Sequence, residues 1–135
     1  MAVLFRLEVF TPYRLFFADT VEFVSMTLVD GDIGIMAHHS PFTAPVETGV
    51  LRIKTKKGIW RNAFVSAGIL EVTEVKTVLM ADKAEWPEEI DTNNAVISGQ
   101  QAKESMEAAV LKFEIDKAKE KIRHSEIRQK VAKMA

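Results

Sequence analysis

The sequence predicts a mainly β fold with an α-helical end: an N-terminal antiparallel β-sandwich followed by a C-terminal two-helix hairpin. Three observations carry that expectation. The hydrophobic period is two up to about residue 83, turn-forming dipeptides fall at even intervals, and the period becomes helical after "AEWPEEID". The expected division is residues 1–87 for the sandwich and 88–135 for the helices.

The strand runs come in order. "LFRLEVF", "VEFVSMTLV", "GVLRIKT" and "ILEVTEVKTVLM" alternate apolar with polar residues and are rich in β-branched side chains. Thr11-Pro12, Asp30-Gly31, Ser40-Pro41, Thr48-Gly49, Lys57-Gly58 and Ala67-Gly68 mark turns. No helical run separates the strands, so a parallel βαβ sheet is not expected. Trp60 is expected to pack inside the sandwich.

From Asp91 to Ala135 there is one glycine, Gly99, and no proline, among residues that favour helix. Ala95, Gly99, Ala102, Met106 and Ala109 step by four and three and form one stripe of mostly small side chains. Leu111, Ile115, Ala118 and Ile122 form a second stripe, which Ile127, Val131 and Met134 continue with a phase shift. A small-residue face lets two helices approach closely, so the hairpin should break near Ala108 to Lys112. That break holds neither Gly nor Pro, so its turn is weakly specified, which suits an element that changes shape. Two helix starts fit: Asp91 as a cap behind Pro87, or Ser98 with Gln101 as a capping box beginning at Gly99. Gly99 inside a helix should cost about 1 kcal/mol.

Composition bounds the function. A chain of 135 residues, 47% hydrophobic, supports one cored domain with an appendage. A net charge of −1 gives no general attraction to nucleic acid or anionic lipid. The charge is uneven, with nine Lys/Arg against twelve Asp/Glu in residues 1–90 but seven against two from Lys117 to Lys133. A basic end on an acidic body points to an acidic partner for that end. The absence of cysteine excludes disulfides, thiol catalysis and cysteine-ligated zinc. "MAVLFRLEVF" has neither a signal-peptide nor a transit-peptide character, and no stretch approaches the roughly 20 apolar residues of a spanning helix. A soluble chain with no direct membrane insertion is expected.

Candidate chemistry centres on "GDIGIMAHHSPF". Asp30-Gly31-Asp32 opens like a calcium loop, but Pro41 stands where such a loop needs its Glu. His38 and His39 are adjacent, so they point in different directions, and no third or fourth zinc ligand lies near them in sequence. A Ser40, His39 and Asp32 triad comes without a nucleophile elbow or oxyanion-hole pattern. No phosphate-binding glycine loop is present. Lys54, Lys56 and Lys57 sit at a hairpin tip without aromatic residues interleaved for base stacking, so no nucleic-acid partner is expected. An enzyme is not expected. The loop then either shapes a turn or meets a partner.

Thr11-Pro12, "DGDIGIMAHHSPF", "TGVLRI", "FVSAGILEV", "VLMADKAE" and "EEID", in this order and spacing, resemble the epsilon subunit of F-type ATP synthases. The resemblance implies a non-catalytic central-stalk subunit that couples ion flow, of protons or sodium, through a membrane rotor to ATP synthesis. Its implied partners are the gamma subunit, the rotor ring and the catalytic alpha and beta subunits. Gly31, Asp32, His39 and Ser40 match loops that touch the ring at the membrane-facing end of the sandwich. Lys117, Lys119, Lys121, Arg123, Arg128, Lys130 and Lys133 match helices that inhibit ATP hydrolysis beside an acidic segment of the catalytic subunits. The implied location is peripheral, on the cytoplasmic face of a bacterial cell membrane or the stromal face of a thylakoid. Members that hold ATP at the first helix resemble Ile/Leu-Asp-x-x-Arg-Ala. Here Ile90, Asp91 and Ala95 match but Asn94 replaces the arginine. A neutral amide lacks the forked charge that suits phosphate, so no cofactor is expected. The competing expectation is a stand-alone binding module that dimerises through its helices.

Overall fold

The structure is a computed structural model and describes residues 3–134. The period-two segment forms nine strands: β1 (Phe5–Phe10), β2 (Leu15–Leu28), β3 (Gly31–Ile35), β4 (Phe42–Val46), β5 (Gly49–Thr55), β6 (Trp60–Val65), β7 (Gly68–Val72), β8 (Thr77–Ala81) and β9 (Ala84–Glu85). The chain divides into two compact units, Met1–Glu85 and Trp86–Ala135.

In the first unit the strands are ordered β1-β8-β7-β4-β2-β5-β6-β9, β3 pairs with β2, and β1 also pairs with β2. Every pairing is antiparallel except β1 with β8, where Leu7 to Phe10 run parallel to Thr77 to Met80. That pair is made without a helical crossover, because the intervening strands carry the chain back to the β1 edge. The inward phase supplies the core: Leu7 and Val9, Val21, Val24 and Met26, Leu51 and Ile53, Leu70 and Leu79 are all buried.

Most turns fall where Gly and Pro announce them, but the one between β7 and β8 has neither. The run "ILEVTEVKTVLM" is not continuous: Thr73 to Lys76 turn the chain between β7 and β8. The Thr73 hydroxyl accepts the N–H groups of Val75 (3.3 Å) and Lys76 (3.1 Å) and so stands in for a turn glycine. Thr11 does the same for Tyr13 and Arg14, both at 3.2 Å. Trp60 departs from expectation. It opens β6 on the outer face, half exposed, with its ring edge-on to Phe23 (5.7 Å between centroids) and the Lys54 ammonium 5.9 Å from its centroid.

In the second unit, a 3-10 turn at Pro87–Glu89 precedes α1 (Thr92–Ala108) and α2 (Lys112–Ala132). The first of the two possible starts is used: the Asp91 carboxylate caps α1 by accepting the Asn94 N–H at 3.0 Å. Ser98 and Gly99 therefore lie within α1. The break falls at Ala109 to Leu111, as the stripes predict. Ala95, Gly99 and Ala102 of α1 and Ala118, Ser125 and Val131 of α2 are buried; Ser125, a polar member that the apolar stripe omits, donates across to the Ala95 carbonyl.

The outer face of the first unit carries a testable ion pair. Lys76 Nζ donates to Glu8 Oε1 at 2.9 Å and Arg6 Nε to Oε2 at 3.3 Å. The Lys76 hydrogen bond is the main cause of a Glu8 carboxyl held below its ordinary range, with Arg6 adding to it. Such a carboxyl binds fewer protons folded than unfolded, so its stabilisation is present above the ordinary carboxylate range and lost as pH falls through the lowered value. Between about pH 5 and about pH 3, the melting temperature of a Lys76→Met chain should therefore fall less than that of the native chain. Thermal unfolding followed by circular dichroism at stepped pH checks this.

Candidate functional site

The residues singled out by sequence lie at the two ends of β3: Gly31 and Asp32 are its first residues, and His39 and Ser40 follow it. Gly31 opens the strand at φ +124°, a conformation that side chains other than glycine rarely adopt. Asp32 lies opposite Thr27 on β2, and the Thr27 hydroxyl donates to Asp32 Oδ1 at 2.8 Å. That bond fixes the direction of an otherwise exposed carboxylate.

His39 and Ser40 lie beyond the other end of β3, and four residue rises, about 13 Å, separate the strand's ends. His38 takes a left-handed φ of 64°, uncommon for a residue other than glycine, and turns the loop. His39 Nδ1 donates to the Ser40 carbonyl at 2.8 Å, and its ring is tilted against Phe42 at 5.1 Å between centroids. Local bonds therefore hold His39 and do not aim it at a nucleophile. Between this loop and the Thr73–Lys76 turn lies an open groove of about 440 Å³, lined by Phe5, Met36, His38, His39 and Val75 among others. Among the described residues, no group of three or more His, Cys, Asp or Glu could hold a metal ion.

A second surface escaped sequence reading. Leu15, Phe10, Met80, Ile69 and Pro45 are consecutive cross-strand partners on β2, β1, β8, β7 and β4, and all are exposed. Strands about 4.8 Å apart make this one apolar row about 19 Å long. A signal was available. Phe10, Ile69 and Met80 are apolar residues standing at the polar phase of their strands, but only the register brings them together.

The helical candidates form a pattern. Lys117, Lys121 and Arg128 recur at i, i+4 and i+11, and so do Lys119, Arg123 and Lys130. At 100° per residue each trio spans about 40° of the helix surface. Ala118, Ile122 and Gln129 repeat the same spacing on the α1-facing side, with Ser125 among them, so the basic trios flank that seam to either side. Six of the seven basic residues are exposed, Arg128 is half-buried, and Lys133 is the C-cap of α2. Ile90, Asp91 and Ala95 are used locally. Ile90 and Ala95 are buried, Asp91 is the α1 cap, and the Ala95 carbonyl accepts the Ser125 hydroxyl. Asn94 Oδ1 accepts the Ser98 hydroxyl at 3.5 Å.

A β-sandwich with an exposed apolar row and a helical pair with outward basic rows has the surfaces of a protein that docks other chains. The family model described as "ATP synthase, Delta/Epsilon chain, beta-sandwich domain" matches residues 4–87, and the chain belongs to that family. The ATP synthase epsilon chain of Caldicellulosiruptor bescii is 46% identical over 103 residues, 76% of this chain and 74% of that one. The ATP synthase epsilon chain of Caldanaerobacter subterraneus is 39% identical over 129 residues, 95% of this chain and 93% of that one. The Propionigenium modestum relative, described as sodium ion specific, is 39% identical over 102 residues, 76% of this chain and 74% of that one. The fold is shared with a chain of the Euglena gracilis mitochondrial ATP synthase, in an OSCP/F1/c-ring structure, at TM-score 0.74 and 16% identity, covering 98% of this chain and 79% of that one.

Turn shape and contact chemistry separate by mutation. Gly31→Ala should cost about 1–2 kcal/mol through its strained φ, whereas Asp32→Ala, losing one exposed hydrogen bond, should cost under about 1 kcal/mol. Urea unfolding of both variants checks the order.

Proposed function

We propose that this chain couples rotation of a membrane rotor to ATP synthesis as a central-stalk subunit, and that its helical unit inhibits ATP hydrolysis. The observation that carries the reading is α2, whose exposed basic residues lie in two equally spaced rows. That arrangement suits an acidic partner surface on the catalytic subunits. Family membership and the epsilon-chain relatives support the rest.

In this reading Gly31, Asp32, His39 and Ser40 meet the rotor ring, and the apolar row from Leu15 to Pro45 is the seat for the gamma subunit. No helix among the described residues is long and apolar enough to cross a membrane. The site of action is accordingly peripheral, on the cytoplasmic or stromal face, with either proton or sodium as the coupling ion. Ile90, Asp91 and Ala95 serve the start and seam of α1, and with Asn94 in place of arginine we assign them no nucleotide.

Each exposed ion pair contributes only about 0–1 kcal/mol and is weakened by salt, so inhibition needs several together. Replacing Lys119, Arg123 and Lys130 by Gln should raise the ATPase rate of the cognate catalytic head several-fold over that with the native chain. Gamma binding should be retained. A variant that binds gamma and inhibits as fully as the native chain sinks the brake reading. Phe10→Ala with Met80→Ala should weaken gamma binding at least tenfold, measured by titration calorimetry.

A further inference from the structure

The apolar row from Leu15 to Pro45 is too small to hold a partner alone. A stable complex takes roughly 20–30 residues a side, and the row supplies five. A partner seated on it therefore covers neighbouring rows of the same outer face. Side chains two residues apart share a face, and one such step along a strand is about 7 Å. The next row is Ala18, Glu8, Val78, Glu71 and Thr43, again consecutive cross-strand partners on β2, β1, β8, β7 and β4. On β2 the register shift between Val9 and Phe10 brings Ala18 into line.

Two carboxylates stand in this row, in different electrical settings. Glu8 is satisfied within the chain: Lys76 Nζ donates to one of its oxygens and Arg6 Nε to the other, and the side chain is only 15% exposed. Glu71 is exposed, and among the described residues no cation pairs with it. It lies two strands from Glu8, about 10 Å away, and one step from Ile69 of the apolar row. A partner that covered Glu71 without an opposite charge would strip water from an unpaired carboxylate, a penalty that rejects a purely apolar surface. One step further, along β1 and just before β8, Arg6 and Lys76 repel a cation placed beyond the carboxylate row.

We propose that Glu71 selects the partner of this face: the surface that seats on the apolar row carries a lysine or arginine about 7 Å from its apolar ridge and pairs it with the Glu71 carboxylate. The apolar row gives the contact its area, and the charge pair fixes its register. This inference rests on the reading of the row as the seat for the gamma subunit, and adds the cation that such a subunit must present.

The test titrates the full chain into its cognate gamma subunit by calorimetry at several salt concentrations. Glu71 is exposed and makes no bond within the chain, so its variants should melt as the native chain does. Glu71→Gln keeps the size of the side chain and removes its charge. It should weaken binding about tenfold and flatten the salt dependence. Glu71→Lys should bind more weakly still. Among gamma variants with one lysine or arginine changed to glutamate, one should restore binding to the Glu71→Lys chain. A Glu71→Gln chain that binds as tightly as the native one overturns the inference. So does a loss of affinity with unchanged salt dependence, which marks a neutral donor opposite Glu71. Phe10→Ala with Met80→Ala keeps the two readings apart. If that pair weakens binding and Glu71→Gln does not, the seat stands and the cation alone fails. If the pair leaves binding unchanged, the seat fails and takes the inference with it.

Discussion

The first unit depends on β2, a strand of 14 residues that pairs with β1, β3, β4 and β5. Its first half borders β1, and its second half borders β3 and β5, so one strand belongs to both sides of the core. Perfect alternation over that length would fail, because the two halves meet the core from different sides. The register shift between Val21 and Phe23 resolves this. Val21 and Val24 are both fully buried although three residues apart, and a spacing of three reverses the phase in a strand of period two. Without the irregularity, β2 would turn either Val21 or Val24 and Met26 to solvent. The parallel β1–β8 pair and the single β2–β4 contact at Leu28 and Val46 then close the strands around that core.

What the sequence made legible divides along the same physical lines. Turns carried by Gly or Pro, and the change from strand to helix period, are local properties, and they were readable. So was the interhelical break, because two stripes of different phase cannot share one straight helix face. The Thr73 turn was not, since its chemistry lies in one hydroxyl bonding two N–H groups two and three residues on. Trp60 was misplaced because an aromatic residue at a strand start reads as core until the register sets it beside Lys54. Gly99 reads in the sequence only as a cost to α1, whereas the side chain it makes room for, Ser125, lies on α2, 26 positions away. Of the candidate surfaces, the two loops beside β3 announced themselves by composition. The apolar row draws one residue from each of five strands, so only the register could assemble it.

The two units are held together internally by different forces. Each large side chain fully buried in the sandwich, such as Leu7, Leu51 or Leu79, contributes about 1.5–3 kcal/mol, whereas each buried alanine in the helical seam contributes about one methyl group, nearer 0.8 kcal/mol. A unit cored by interlocked large residues resists deformation, as a coupling element in a rotating shaft must. The helices bury mainly alanines, with Ser125 and Val131 of α2, and so less apolar area per residue than the sandwich. In the proposed role the first carries mechanical load and the second responds to conditions.

The geometry of α2 also constrains the partner it would brake. The trios Lys117, Lys121 and Arg128 and Lys119, Arg123 and Lys130 lie on opposite flanks of a helix about 10 Å across. A flat acidic surface reaches one trio, and three exposed pairs at about 0–1 kcal/mol each make a weak, salt-sensitive hold. A concave acidic surface that wraps the helix reaches both and doubles the number of pairs without lengthening the contact. Strong inhibition therefore requires an enclosing site, whereas a member of this family held by one flank alone would inhibit in a graded way that fades as ionic strength rises.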